Sequence, residues 1–165
     1  AGPAAPTSGA SGPVPLSRAA RLPVPPEAQP AVVVRHVDGD TVVLRGDASG
    51  PLRGPARVRL LHIDTPEVFE ERECYGSEAA ARSASLLPVG SRVRVLADVD
   101  PLDRFGRALL LVWDDQGRSV QEQLLREGAA RVLVVGPNRA GLAALRDAER
   151  QARTERLGLW GRCGG

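Results

Sequence analysis

Apolar and polar residues alternate along the chain from Ala31 onward, as in strands with one buried face. Two such runs, 31–37 and 41–45, flank Asp38-Gly39, and an Asp-Gly pair between apolar runs is a strong hairpin signal. A third strand is predicted over 56–63. The pattern therefore begins with three consecutive strands joined by short turns.

Beyond residue 70 the periodicity changes between helical and strand-like. It predicts a helix over 75–87 that ends before Pro88, two strands over 92–97 and 107–114, a short helix over 120–126, an extended segment over 131–135 and a long helix over 140–156. This order suits a small α+β protein, mainly β, built as a five-stranded barrel with appended helices.

The first thirty residues are rich in Ala, Pro, Gly and Ser and lack apolar periodicity. We expect residues 1–30 to form a tail or linker and residues 31–165 to form the folded domain. The chain contains no methionine. We expect Ala1 to be a mature terminus left by a removed signal peptide, and trimming of a longer protein is the alternative.

Composition changes this picture little. All 22 basic residues are arginine, but the net charge is only +2, which is a weak indication of a polyanionic partner. Five aromatic residues among 42% hydrophobic residues predict a core of Val, Leu and Ala. No apolar run approaches the roughly 18 residues that a membrane-spanning helix needs, so we expect no span.

Candidate chemistry lies in two short segments and one distant arginine. Asp40 follows the hairpin turn, Asp64 and Glu67 flank Thr65-Pro66 at the end of the third strand, and Arg59 and Arg107 lie on strands. Carboxylate oxygens suit Ca²⁺ or Mg²⁺, and guanidinium groups suit a phosphoryl group that gains charge. Each motif alone is also ordinary turn or helix-cap chemistry, so the joint order carries the interpretation.

That joint order resembles the staphylococcal nuclease (thermonuclease) family from about Val32 to Trp160. The matching segments are Val-Asp-Gly-Asp-Thr at 37–41, Val-Arg-Leu-Leu-His-Ile-Asp-Thr-Pro-Glu at 58–67, Tyr-Gly-Ser-Glu-Ala at 75–79, Asp-Arg-Phe-Gly-Arg at 103–107, the helix end at 124–130, and 148–152 leading to Gly-Leu-Trp at 158–160.

The resemblance implies a five-stranded OB-fold Greek-key barrel with three helices and one Ca²⁺ at its rim. Asp40, Asp64 and the carbonyl of Thr65 would be metal ligands, and Asp38 would organise the turn that holds Asp40. Glu67 would be the general base, and Arg59 and Arg107 would bracket the scissile phosphate.

Implied substrates are DNA and RNA, cut with little sequence specificity to leave 3′-phosphate ends. Arg104 and Phe105 would contact the substrate; Phe105 stands where the family has a tyrosine, and a second pocket tyrosine is replaced near Leu133 or Val134. We therefore expect intact chemistry with looser nucleotide binding. A noncatalytic OB-fold nucleic-acid-binding module is the alternative.

Cys74 and Cys163 are the only cysteines, and an even count in an exported chain predicts one disulfide. We expect a monomer that is secreted or held in the periplasm or at the cell surface. The run Glu70 to Glu73 is interpreted as a solvated loop, and Arg131 as one of several surface charges.

Overall fold

The computed structural model describes residues 21–46 and 52–164. Its strands are β1 (Gln29–His36), β2 (Thr41–Gly46), β3 (Pro55–Leu60), β4 (Ile63–Asp64), β5 (Arg92–Leu102), β6 (Ala108–Trp113) and β7 (Arg131–Val132). Its helices are α1 (Gly76–Leu86), α2 (Val120–Arg126), α3 (Leu142–Thr154) and the four-residue α4 (Leu159–Arg162).

Five strands close into a barrel in the order β1-β2-β3-β6-β5, with β5 pairing back to β1. The β3–β6 pair is parallel and the other four pairs are antiparallel. The barrel with α1, α2 and α3 confirms the predicted OB-fold, and α4 adds one helical turn. Closure leaves the central strands without an unpaired edge.

The core is aliphatic, as the composition predicts. Every residue of β6 is buried, because one face of this strand lines the barrel and the helices cover the other. Trp113, fully buried, is the largest core side chain. Helix α2 contributes Val120, Leu124 and Leu125 to the same cluster, so the helices and the barrel share one core.

The third strand is shorter than predicted. β3 ends at Leu60, and His62 has φ +69°, a left-handed conformation that breaks the extended run. The chain then forms β4, which leaves the barrel and pairs with β7 in a separate two-stranded sheet. The predicted continuous strand over 56–63 is therefore wrong at residues 61–62, and strand structure resumes at Ile63 in β4.

The folded part begins earlier than the expected boundary at residue 31. β1 starts at Gln29, Ala28 is buried, and Leu22 and Val24 pack against the core. The backbone of Leu22 is bonded at both ends, because its N–H donates to Glu122 Oε2 at 2.8 Å and its carbonyl accepts from Trp113 Nε1 at 2.9 Å. Residues 22–30 thus belong to the domain; residues 1–20 of the expected tail lie outside the described part.

A disulfide joins Cys74, in the loop before α1, to Cys163 at the end of α4. The two Cα atoms lie 5.8 Å apart, and 89 positions separate the cysteines in the sequence. The structure therefore contains the predicted pairing. Among the helices of the described residues, none has the length and hydropathy to cross a bilayer.

Candidate active site

The first carboxylate of the site is held by the turn between β1 and β2. The amides of Val37 and Asp38 both donate to the carbonyl of Thr41 at 3.1 Å, and Asp38 Oδ1 accepts from the amide of Asp40 at 3.0 Å. Gly39 is required here because a Cβ at this position would lie 2.5 Å from Oγ1 of Thr65. The turn therefore packs directly on the segment that follows β4.

Asp40 is the most heavily bonded group at the rim. Its Oδ2 accepts from the amide and the hydroxyl of Thr65 at 3.1 and 3.2 Å, and lies 3.1 Å from Nη1 of Arg59. Its carbonyl accepts from the amide of Leu60 at 2.8 Å, which brings the end of β3 beside the turn. These contacts fix the position of one buried carboxylate.

Asp64 is the second carboxylate, and its side chain is 57% exposed. Its Oδ1 lies 3.4 Å from Nη2 of Arg59, so one guanidinium contacts both Asp40 and Asp64. Burial raises the pKa of Asp64, and the charge of Asp40 raises it further. Burial, followed by the same charge, raises the pKa of Asp38 to about 6. Negative charge at this rim thus exceeds what Arg59 neutralises.

The two arginines are themselves fixed by local bonds. Arg59 Nη1 donates to the carbonyl of Ile63 at 2.9 Å, across the break after β3. Arg107 follows Gly106, whose φ is +77°, and its Nε donates to Asp103 Oδ2 at 2.6 Å. Burial would raise the pKa of Asp103, but hydrogen bonds from the backbone and side chain of Arg107 lower it below its ordinary value. Both guanidinium groups are preorganised.

Arg59 and Arg107 line the same cavity of about 360 Å³. Leu133, Arg104 and Phe105 also line it, and the ring of Phe105 is 68% exposed. The guanidinium carbons of Arg104 and Arg107 lie 4.8 and 5.3 Å from that ring. The cavity thus combines cationic groups with an exposed aromatic face. A larger cavity of about 720 Å³, between the 21–23 segment and α2, contains none of these residues.

Glu67 lies in the adjacent loop, but its carboxylate does not join the other two. Its Oε1 accepts from the amides of Val68 and Phe69 at 2.9 and 3.2 Å. Across residues 21–46 and 52–164, no group of three or more His, Cys, Asp or Glu side chains is arranged to hold a metal. The structure thus brings together Asp40, Asp64, Thr65 and Arg59, with Glu67 beside them and turned to its own loop.

Two residues at the site escaped the sequence interpretation. Glu73 clamps Glu67 from both sides, because its Oε2 accepts from the amide of Glu67 at 2.9 Å and its own amide donates to the Glu67 carbonyl at 3.0 Å. Its charge also contributes to the raised pKa of Asp64. Asp103 fixes Arg107. The sequence contained a signal for Asp103, because a carboxylate four residues before an arginine, across a turn, can bond to that arginine. No pattern distinguishes Glu73 from the other glutamates of its acidic run.

The fold and this rim together define an OB-fold barrel of the nuclease type. The family model described as "Staphylococcal nuclease homologue" matches residues 57–162. The chain belongs to this family, as the sequence resemblance predicted.

Named relatives include bacterial nucleases. The chain is 37% identical over 134 residues to the SPbeta prophage-derived endonuclease YokF of Bacillus subtilis (strain 168), covering 79% of this chain and 43% of the relative. It is 36% identical over 136 residues to the endonuclease YncB of the same strain, covering 79% and 61%. It is 33% identical over 135 residues to the thermonuclease of Staphylococcus intermedius, covering 79% and 76%. The chain thus spans roughly half the length of the two Bacillus relatives.

Proposed function

We propose that this chain is a calcium-dependent nuclease that hydrolyses phosphodiester bonds of DNA and RNA with little sequence specificity. The observation that carries the proposal is the cavity shared by Arg59 and Arg107, next to the paired carboxylates Asp40 and Asp64. Membership of this family and its relatives, which are named as endonucleases and a thermonuclease, support the same reaction.

The carboxylate pair fits a hard divalent cation. Asp40 and Asp64 share one guanidinium, and burial, followed by the charge of Asp40, raises the pKa of Asp64. Their oxygens, with the carbonyl of Thr65, are the ligand type that Ca²⁺ takes in proteins, and water would complete the coordination. A bound calcium ion would withdraw charge from the phosphate oxygens and favour attack by water.

The arginines stabilise the charge that develops on the phosphate. The hydrogen bond of Arg107 to Asp103 uses Nε, and in the described part of the chain its Nη groups donate to no protein acceptor. Arg59 is anchored to Ile63, so it meets the phosphate without a large loss of side-chain freedom. Donors held in place before the reaction are effective because they need no reorganisation as charge builds.

Glu67 is the proton acceptor for the attacking water in this proposal. Its present hydrogen bonds are local and solvent-exposed, so exchanging them for water costs little. The water oxygen bonds to phosphorus as the bond from phosphorus to the 5′ oxygen breaks, and the leaving 5′ oxygen takes a proton from solvent. The products are a 3′-phosphate and a 5′-hydroxyl. Polynucleotide kinase should label the products without prior phosphatase treatment; products that label only after such treatment would contradict this bond choice.

The decisive experiment is digestion of single-stranded DNA by the purified chain. We expect cleavage with Ca²⁺, none with EDTA, and a loss of at least about 100-fold in kcat for Glu67→Gln. Glu71→Gln is the matched control, because Glu71 is an exposed glutamate of the same loop. Cleavage in EDTA or a fully active Glu67→Gln variant would refute the mechanism, and calcium-dependent binding without cleavage would indicate the noncatalytic module.

We also propose that the protein works as a monomer in an oxidising compartment, whether secreted, in the periplasm or at the cell surface. The Cys74–Cys163 bond supports this location, because disulfides persist where thiols are not kept reduced. Alkylation of protein isolated from its producing cells, followed by mass measurement, should label no cysteine unless a reductant is added. Two labelled thiols without reductant would contradict the proposed compartment.

A further inference from the structure

One cation beside the rim has no part in the chemistry described so far. Arg131 opens β7 and pairs with Asp64 of β4, so its backbone lies directly opposite the exposed carboxylate. The residue is exposed, and its charge acts on Asp64. The short β4–β7 sheet therefore places a third arginine next to the paired carboxylates.

Arg131 is also held in place by an aromatic ring. Its guanidinium carbon lies 5.1 Å from the ring centroid of Trp160, and that of Arg153 lies 4.2 Å from the same ring. Both distances are within the range of cation–π attraction. The ring restricts the side chain of Arg131 and leaves its hydrogen-bond donors available.

Three other arginines of this region contact carboxylates. Arg153 lies 3.0 Å from Oε1 of Glu149, whose other oxygen accepts from the amide of Val132. Arg59 and Arg107 contact the carboxylates of Asp40, Asp64 and Asp103. Arg131, by contrast, has no carboxylate within 4.0 Å among residues 21–46 and 52–164. Its guanidinium, restrained by the ring of Trp160, is therefore not held in a close ion pair with any of these residues.

The direction of β7 indicates how a nucleic-acid strand could reach Arg131 from the cavity. Residues 131–133 run antiparallel to 62–64, and the amide of Leu133 donates to the carbonyl of His62 at 2.8 Å. Leu133 lines the cavity that holds Arg59 and Arg107, whereas Arg131 lies two residues away, about 7 Å along the strand. A nucleic-acid strand that leaves the cavity in the direction from Leu133 to Arg131 would therefore meet Arg131 beside Asp64.

We propose that Arg131, held on the ring of Trp160, binds a phosphodiester group other than the one that is cleaved. This subsite rests on the proposed nuclease function and lies beside Asp64, two residues along β7 from Leu133, which lines the cavity. Its ligand is the backbone phosphate of a single strand, which an arginine binds through parallel hydrogen bonds without reading the base. It would strengthen the binding of long substrates without contributing base selectivity.

The test compares Arg131→Gln with the control Arg92→Gln, which also removes one positive charge. Arg92 begins β5, whereas the cavity lies at the other end of that strand, at Leu102. Affinity for a single-stranded oligonucleotide of about 20 residues is measured against salt, in the Glu67→Gln background so that no cleavage occurs. We expect Arg131→Gln to weaken binding about five- to tenfold at low salt and to reduce the salt slope by about 0.7. Arg92→Gln should change neither, and Arg131→Lys should restore most of the slope.

A second readout separates this subsite from the cleavage site. In the active background, Arg131→Gln should raise KM for the oligonucleotide and have no comparable effect on a substrate with a single phosphodiester. An unchanged salt slope, or an equal effect on both substrates, would overturn the subsite while leaving the nuclease proposal intact. The opposite outcome is also distinguishable. If the unsubstituted chain never cleaves, but Arg131→Gln still reduces its salt-dependent affinity, the nuclease proposal is refuted and the subsite is retained. An unchanged circular dichroism spectrum for each variant establishes that it is folded.

Discussion

Removing the disulfide tests whether the loop before α1 is tied to the C-terminal helix. The perturbation is the double substitution Cys74→Ser and Cys163→Ser. Cys74 is exposed, so serine at this position buries no hydroxyl group. The C-terminal segment keeps other contacts with the domain, because Leu159 is buried and its amide donates to the carbonyl of Gly128 at 2.9 Å. We therefore expect the native fold to persist and the effect to arise mainly in the unfolded state.

The size of that effect follows from the length of the closed loop. Because 89 positions separate the cysteines, the loop-closure model assigns the disulfide about 4.6 kcal/mol of stability at 25 °C. Measured losses for native disulfides are typically about 2–5 kcal/mol. For a chain of this size, each kcal/mol lowers Tm by roughly 2–4 °C, so we expect a fall of about 10–15 °C.

Urea unfolding followed by tryptophan fluorescence measures the difference, since Trp113 is buried and Trp160 is stacked between arginines. The free energy of unfolding of the double variant should be lower by several kcal/mol without reductant. The m-value should rise, because the unfolded chain without its cross-link exposes more surface. With reductant present, wild type and variant should unfold alike. A difference below about 1 kcal/mol without reductant, or one that persists in reductant, would refute the reasoning.

Three further changes test contacts that the tertiary structure creates. Glu73→Ala removes the acceptor for the amide of Glu67, a hydrogen bond worth about 1 kcal/mol. In steady-state assays we expect this variant to lower kcat several-fold with KM little changed. Glu73→Gln retains an acceptor oxygen and should keep kcat near that of the unsubstituted chain. Gly128→Ala should lower the free energy of unfolding by more than about 3 kcal/mol, because φ is +73° and the new Cβ would lie 2.1 Å from the carbonyl oxygen of Leu157; a smaller loss in urea would contradict this. Asp98 accepts from the amides of residues 139 and 140 at 2.7 and 2.9 Å, and its pKa is lowered because these bonds outweigh the opposing effect of burial. The stability that Asp98 contributes is therefore fully present above its ordinary pKa of 3.8 and is lost as pH falls through the lowered pKa of the folded state. Asp98→Ala should lower the free energy of unfolding by about 1–2 kcal/mol at pH 7 and progressively less as pH falls below 3.8; a pH-independent loss would contradict the assignment.

The barrel was predictable because its signals are local. Alternating apolar residues and the Asp-Gly turn mark β1 and β2, and the buried run of β6 marks its central place. The break after Leu60 was not predictable, because His62 adopts a left-handed conformation that is uncommon for any residue other than glycine and that no neighbouring residue signals. That conformation is retained by long-range contacts, including the bond from the amide of Leu133 to its carbonyl.

The start of the domain was misplaced for a related reason. The proline-rich stretch before Ala31 lacks periodicity, which is how a tail is recognised from sequence. Leu22 and Val24 nevertheless pack on the core, and Leu22 is held by Trp113 and Glu122, roughly ninety to a hundred positions away. No local pattern reports a contact between residues so far apart.

The sequence by itself determined the succession of barrel strands and helices along the chain, the aliphatic core, the family and the identities of the candidate site residues, because each depends on residue type and short spacing. Only the tertiary structure decided how those residues are connected. It joined Asp40 and Asp64 through one guanidinium, clamped Glu67 with Glu73, and set Arg131 beside Asp64. These relations require barrel closure and the β4–β7 pairing, which bring distant segments within hydrogen-bond distance.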